Sequence, residues 1–312
     1  MILNENAFLI LKDECGAYER GMSSYWKERL KDFEFLGNEF TGRELPEGKG
    51  GKKTALRRSA HYLLQFPFRR QGKRFREFKK ILSLAYTIHE RRNTQLALGT
   101  MRQVLTLAFL QDQLTLTKFF EPIIIIGDGF GIMSSLILSY LPNAKQKVVV
   151  VNLTPNLLID AVFIKKSLPD LNMSLVKTVK EYHRVLENPE ISIVLIQADN
   201  AHIISQASIG LAINIVSMQE MEPPVIGDYF YFLRSSPNSK TYFYCCNRLE
   251  KTLSDKVIVR FFEYPWHPND QILIDNRCPW HRYHYNLRPP FYHAYDGPIQ
   301  HRLVLMHKIL SV

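Results

Sequence analysis

Four consecutive isoleucines, Ile123–Ile126, run straight into Gly127-Asp-Gly-Phe-Gly131. Neither a half-exposed strand nor an amphipathic helix can use such a run. Every side chain needs burial, which a strand gets only in a sheet covered on both faces. Short β-branched or aromatic runs recur at Val148–Val151, Ile191–Ile196, Leu211–Val216 and Tyr242–Cys246, several of them separated by helical-looking segments. The alternation predicts an α/β fold with a parallel sheet. Two later runs, Val257–Phe262 and Arg302–Met306, are expected to complete its edge.

Residues 1–118 read differently. Phe75, Phe78, Ile81, Leu82, Ala85 and Ile88 recur at helical spacing, and Leu96–Leu110 is apolar nearly all round, as a buried helix would be. The expected organisation is a mainly helical N-terminal extension over 1–118 and a ligand-binding domain over 119–312. The stretch Glu47-Gly-Lys-Gly-Gly-Lys-Lys53 reads as a flexible loop. It belongs to a basic segment, residues 43–80, whose thirteen Lys/Arg against three acids account for the whole formal charge of +10. Such asymmetry points to an anionic partner, or to a solvated basic face.

Several classes are excluded. No stretch has the roughly 18 uninterrupted apolar residues of a membrane span, and the N-terminus lacks the basic start and cleavage site of a signal peptide. A soluble, cytoplasmic protein is expected. Cys15 and Cys278 are isolated, while Cys245 and Cys246 are adjacent and would point to opposite faces of a strand. No cysteine pair has zinc-ligand spacing, and His281-x-x-His284 lacks the accompanying acid of a metalloprotease helix. Buried thiols are expected, with neither a metal site nor a disulfide framework.

The glycine loop carries the function. Glycines there allow a sharp turn and close approach of a ligand to the backbone at the positive end of a helix. A nicotinamide dinucleotide wants Gly-x-Gly-x-x-Gly, whereas the third glycine here comes one residue early. A structural turn without a ligand is the plain alternative. The second strand ends at Asn152, where nucleoside-binding sheets place a side chain against ribose hydroxyls. The third ends in Gln197-Ala-Asp-Asn200, so Asp199 could accept a hydrogen bond from an adenine amine. Either residue could instead cap a helix or turn.

Three blocks, Ile126-Gly-Asp-Gly-Phe-Gly131, Asn214-Ile-Val-Ser-Met-Gln-Glu-Met221 and Tyr242-Phe-Tyr-Cys-Cys-Asn-Arg248, together resemble the bacterial sugar O-methyltransferase family. The resemblance spans roughly residues 75–306, and its middle block is the most specific part. It implies a Rossmann-like seven-stranded methyltransferase sheet, last strand antiparallel, that binds S-adenosylmethionine through Gly127, Asp128, Gly129, Gly131, Asn152, Asp199 and Asn214. It also implies a sugar hydroxyl as acceptor, in a bacterial surface polysaccharide or its precursor. The chain departs from the family in having Asn152 at the usual ribose acid and Asp128 where a further glycine is frequent.

Methylating a hydroxyl needs an acceptor for its proton, which a carboxylate or histidine can be. Glu220, at the carboxyl end of the fourth strand, is the preferred base, with His281 and His284 of the aromatic tail as alternatives. Ser217-x-x-Glu220 also matches a capping box. Ser217, Gln219, Asn247 and Arg248 are expected to hold the acceptor. The basic segment suits an anionic glycan near a membrane surface. Two rival readings stand: a nucleic-acid methyltransferase, although Asn/Asp-Pro-Pro-Tyr does not follow strand four, and a catalytically inactive binding protein.

Overall fold

Alternation within the apolar runs decides the architecture. In the computed structural model, which describes residues 3–16, 19, 21–30, 34–36, 39–41, 55–141 and 146–308, strands β1 (Ile123–Ile126) and β2 (Val148–Asn152) send successive side chains to opposite faces. Ile123, Ile125, Val148 and Val150 enter one apolar cluster. Ile124, Ile126, Val149 and Val151 enter another. Two buried faces on one strand are what a run without polar residues requires.

The sheet has eight strands, not seven. The others are β3 (Asn172–Val176), β4 (Ile191–Gln197), β5 (Leu211–Ile215), β6 (Tyr242–Arg248), β7 (Gln271–Arg277) and β8 (Ile299–Leu305), and the spatial order is β7-β8-β6-β5-β1-β2-β4-β3. Strands β1 to β6 are mutually parallel. Strand β8 runs antiparallel to β6, and β7 antiparallel to β8. The chain leaves β1 through β2 on one side and returns as β5 on the other. The crevice above β1 is therefore the topological switch point, where open α/β sheets bind ligands. Val257–Phe262 does not join this sheet: Ile258–Arg260 pairs instead with Glu250–Thr252 in a separate ribbon.

Helices α1 (Leu3–Asp13), α2 (Ser24–Arg29), α3 (Ala55–Leu64), α4 (Phe66–Gly72), α5 (Phe78–Arg91) and α6 (Leu98–Leu114) precede the sheet. In α6, Thr100, Met101 and Val104–Leu110 are all buried, as its all-round apolar pattern predicts. Helices α5 and α6 share the first cluster with α7 (Ile132–Tyr140), α8 (Thr154–Ser167) and one face of the sheet. The other face is covered by α9 (Val179–Glu187) and α10 (Pro223–Ser235), together with Phe261, Tyr264 and Trp266. Cys245 and Cys246 divide between the two faces, and the described cysteines are free thiols. Among the described residues no helix is long and apolar enough to cross a membrane. The glycine-lysine loop at 47–53 lies outside the described residues.

Candidate functional site

The loop after β1 turns through four left-handed residues, Gly127 (φ 72°), Gly129 (61°), Phe130 (70°) and Gly131 (58°). Its glycines serve different ends. A side chain at Gly127 would collide with Ser217, and one at Gly131 with Ile164 and the carbonyl of Asp160. At Gly129 a Cβ would meet nothing within 4 Å. Gly127 and Gly131 thus pack the chain against itself, while Gly129 borders open space.

Asp128 is turned inward. Its carboxylate accepts from the Met133 and Ser134 backbone N–H groups, 2.9 Å each, and from the Ser134 hydroxyl, so it caps α7. Beneath it, Asp160 accepts from the Gly131 N–H (2.9 Å) and from the Asn152 side-chain amide (2.8 Å). Burial raises the pKa of both carboxyls, and that of Asp160 further because Asp128 is near. Arg92, after α5, donates to the Gly131 carbonyl and the Ser135 hydroxyl (3.2 Å each), and its charge favours both ionised carboxylates. The helical layer therefore reaches the glycine loop directly. Asn152 is the last residue of β2, with its amide nitrogen on Asp160 and its oxygen on the Leu153 N–H at 3.0 Å.

A second polar knot joins the ends of β1, β5 and β6. Buried Asn214 donates to the Ile126 carbonyl (2.9 Å) and accepts from the Met218 N–H (3.1 Å) and the Asn247 amide (2.7 Å). Asn247 in turn accepts from the Gln219 N–H (3.1 Å), and Gln219 accepts from the Arg248 N–H (2.8 Å). In this structure the polar groups of these three side chains hold strand ends together. Ser217 makes no capping hydrogen bond, so the capping-box match is not realised; the residue lies over Gly127 instead. Arg248 pairs with Asp296 at 2.9 Å, and its Nε is buried without a partner.

The N-terminal segment crosses this carboxyl edge as a strap. Glu14 accepts from the Gln197 amide (2.8 Å), and Glu19 from the Thr154 N–H (2.8 Å) at the start of α8. Ser23 donates to the Glu220 carbonyl, and Glu28 accepts from the Ser254 hydroxyl at 2.8 Å. Two strap-side carboxyls have strongly shifted proton affinity. Burial lifts Glu19 to about 7, helped by Asp199 and Glu14 and opposed by its bonds to Thr154. Burial also lifts Glu220 to about 7, against the pull of Arg29, Lys251 and Arg248. Asp199 is exposed near Glu19. No periodicity marks Glu19 in the sequence, because it lies 135 residues from its partner.

The tail histidines are placed elsewhere. His281 is buried with its Nδ1 at 3.1 Å from the Cys278 sulfur. His284 stacks on His293 (5.1 Å) in a two-stranded ribbon that meets α3 through Tyr285 and His61. Of the three candidate bases, Glu220 is the one at the carboxyl edge, its backbone carbonyl bonded to Ser23 and its carboxyl near Arg29, Lys251 and Arg248.

No protein-family model and no curated protein matches this chain. Among solved structures, a SAM-dependent methyltransferase from Anabaena variabilis is 13% identical, covering 65% of this chain and 84% of its own, with a TM-score of 0.43. An O-methyltransferase family 2 protein from Planctomyces limnophilus, in complex with apigenin, is 7% identical over 59% and 50%, with a TM-score of 0.36. Phosphoethanolamine N-methyltransferase 2 from Haemonchus contortus, in complex with S-adenosyl-L-methionine, is 15% identical over 48% and 29%, TM-score 0.27.

Proposed function

We propose that this chain binds S-adenosylmethionine above β1 and transfers its methyl group to a hydroxyl, with Glu220 as proton acceptor. The observation that carries the proposal is the cap on α7. A dinucleotide lays its pyrophosphate on the free N–H groups of the helix after the glycine loop. Here Asp128 already fills that helix start with a negative charge. A ligand without phosphates suits the loop better, and the acids Glu19, Asp199 and Glu220 along the edge suit a cationic one. Gly129 leaves the backbone approachable.

When bound, the cofactor supplies an electrophilic methyl group on a positively charged sulfur. The chain's task is then to align an acceptor oxygen with that carbon and to take its proton. Glu220 ionises near neutral pH, so its carboxylate can accept a proton yet is more basic than an ordinary glutamate. Arg248, with an unpartnered Nε, is suited to hold the acceptor.

A sugar acceptor follows from the resemblance of the three sequence blocks. An anionic glycan, with peripheral contact at a membrane surface, fits the exposed Arg70, Lys73, Arg74, Arg76, Lys79 and Lys80 of the α4–α5 region. Arg69 is engaged locally, stacked over Tyr62 at 3.6 Å and bonded to Gln65 and Tyr86.

Calorimetry with S-adenosylmethionine and, separately, NAD tests the cofactor. Binding of the first and not the second is expected, and Gly129→Val should abolish it while the chain stays folded. Tight NAD binding, or unchanged affinity in Gly129→Val, would defeat the proposal. Charge reversal at Arg70, Lys73 and Arg74 should weaken use of an anionic glycan without altering cofactor affinity.

A further inference from the structure

Cys246 lies far in sequence from Cys278 and His281, yet the donor atoms of all three lie within 4.8 Å of one another and all three residues are buried. We propose that they form a zinc-binding site that pins the aromatic tail to the sheet. The geometry is built from three directions. Cys246 is on β6, opposite His301 of β8. Cys278 follows β7, its N–H bonded to the Ile299 carbonyl at 2.9 Å. His281 closes a short turn, Pro279–His281, whose N–H bonds the Cys278 carbonyl at 3.2 Å. The turn itself is held from the helical layer: the Trp280 indole donates to Thr106 (3.0 Å), and Arg102 donates to the Trp280 carbonyl (3.0 Å).

The spacing fits the ion. Zinc bonds of about 2.3 Å to sulfur and about 2.0 Å to nitrogen, at a tetrahedral angle, put S and N about 3.6 Å apart. The His281 Nδ1 stands 3.1 Å from the Cys278 sulfur and 3.9 Å from the Cys246 sulfur, on either side of that value. Thiolate and imidazole donors select soft or borderline cations over magnesium or calcium. Two thiolates, one neutral imidazole and one divalent ion also sum to zero charge, which a site buried in an apolar cluster favours. Binding requires deprotonated ligands and therefore releases protons. The site is remote in chemistry from the glycine loop, so it stands or falls separately from the methyl-transfer reading. The sequence rule missed it because Cys246 lies 32 positions before Cys278 and only Cys278-x-x-His281 is local.

The test uses the full chain, purified without chelator. Elemental analysis should find one zinc per chain. After chelator dialysis, Co²⁺ should give thiolate-to-metal charge-transfer absorption and the intense visible bands of a four-coordinate ion, its fourth position taken by water beside the three protein donors. Cys278→Ser should reduce the charge-transfer intensity to about half and His281→Gln should weaken zinc at least tenfold in a chelator competition. Zinc removal should lower the thermal midpoint. The proposal is overturned by absence of both stoichiometric zinc and the cobalt spectrum, by undiminished zinc affinity in both variants, by a Cys246–Cys278 disulfide in the purified chain, or by uptake of Cu⁺ but not Zn²⁺. Should a variant fail to fold, the wild-type metal content and cobalt spectrum decide alone.

Discussion

The polar groups at the carboxyl edge fall into two sets that behave in opposite ways. Asp128, Asp160, Asn152, Asn214, Asn247 and Gln219 are bonded within the chain, most of them more than once. Glu19 and Glu220, on the strap side, have fewer partners and hold their protons to near neutral pH. The first set fixes the shape of the loop and strand ends. The second leaves charge available for change. A rigid frame with a titratable rim is the arrangement that positioning and proton transfer together require.

Substitution can break the comparison from either side. The largest effect belongs to Glu220→Gln, which keeps shape and removes basicity. Turnover should fall by about 10²–10⁴ with cofactor affinity preserved and the thermal midpoint no lower, and single-turnover rates would reveal it. If Glu220 is the base, wild-type activity should rise with pH through about 7 as its carboxyl loses its proton, and a flat pH–rate profile would remove it. Next comes Asn214→Leu, which strands the Ile126 carbonyl, the Met218 N–H and the Asn247 amide in a buried knot. A loss of about 2–4 kcal/mol in chemical unfolding is expected, since each buried orphan costs about 1–3 kcal/mol.

Asn152→Asp sharpens the point at smaller scale. The amide donates to Asp160, so a carboxylate there faces another and loses that bond. Stability or cofactor affinity should fall by about 1–3 kcal/mol, whereas Asn152→Asp binding as tightly as wild type would mean that the Asp160 contact has no influence on the site. The effect confined to one pH range is Glu19→Gln. Glu19 is raised from 4.5 to about 7, so the folded state holds its proton more tightly than the unfolded state. That contribution is present below about pH 4.5 and is lost as pH rises through 7. Glutamine removes the loss while its oxygen can still accept from Thr154. The variant should gain up to about 3 kcal/mol at pH 8 and nothing at pH 4, measured as paired denaturant midpoints.

Much of the frame was legible in the residues. Ile123–Ile126 with the glycine loop placed the central strand; Asn152 and Arg248 end strands, and Asp199 and Ser217 each follow a strand end by two residues, on the same edge. What pattern could not supply was direction. An amide at a strand end reads alike whether it faces a ligand or a neighbouring carbonyl, and Asn214, Asn247 and Gln219 face inward. Ser217-x-x-Glu220 matches a capping box that does not form, while Thr178-x-x-Glu181 forms one, with the Glu181 N–H on the Thr178 hydroxyl at 3.3 Å. Strand β3 was missed because Ser174 interrupts a five-residue run, and β7 because its outer edge is exposed and polar. His281 and His284 shared a motif but occupy different environments, one among buried thiols and the other on an exposed ribbon.

The strap has a consequence for how the molecule is made. Glu19 waits for Thr154, Ser23 for Glu220, and Glu28 for Ser254, separations of 135, 197 and 226 residues. During synthesis the chain emerges in order, and contacts so distant form only when the later partner is out. Residues 14–29 thus leave the ribosome long before anything exists for them to seat on. The glycine loop and β1 to β5 can assemble first, with the acidic rim still open. The edge that carries Glu220 can close only after its own residues have emerged, against a segment made well before them.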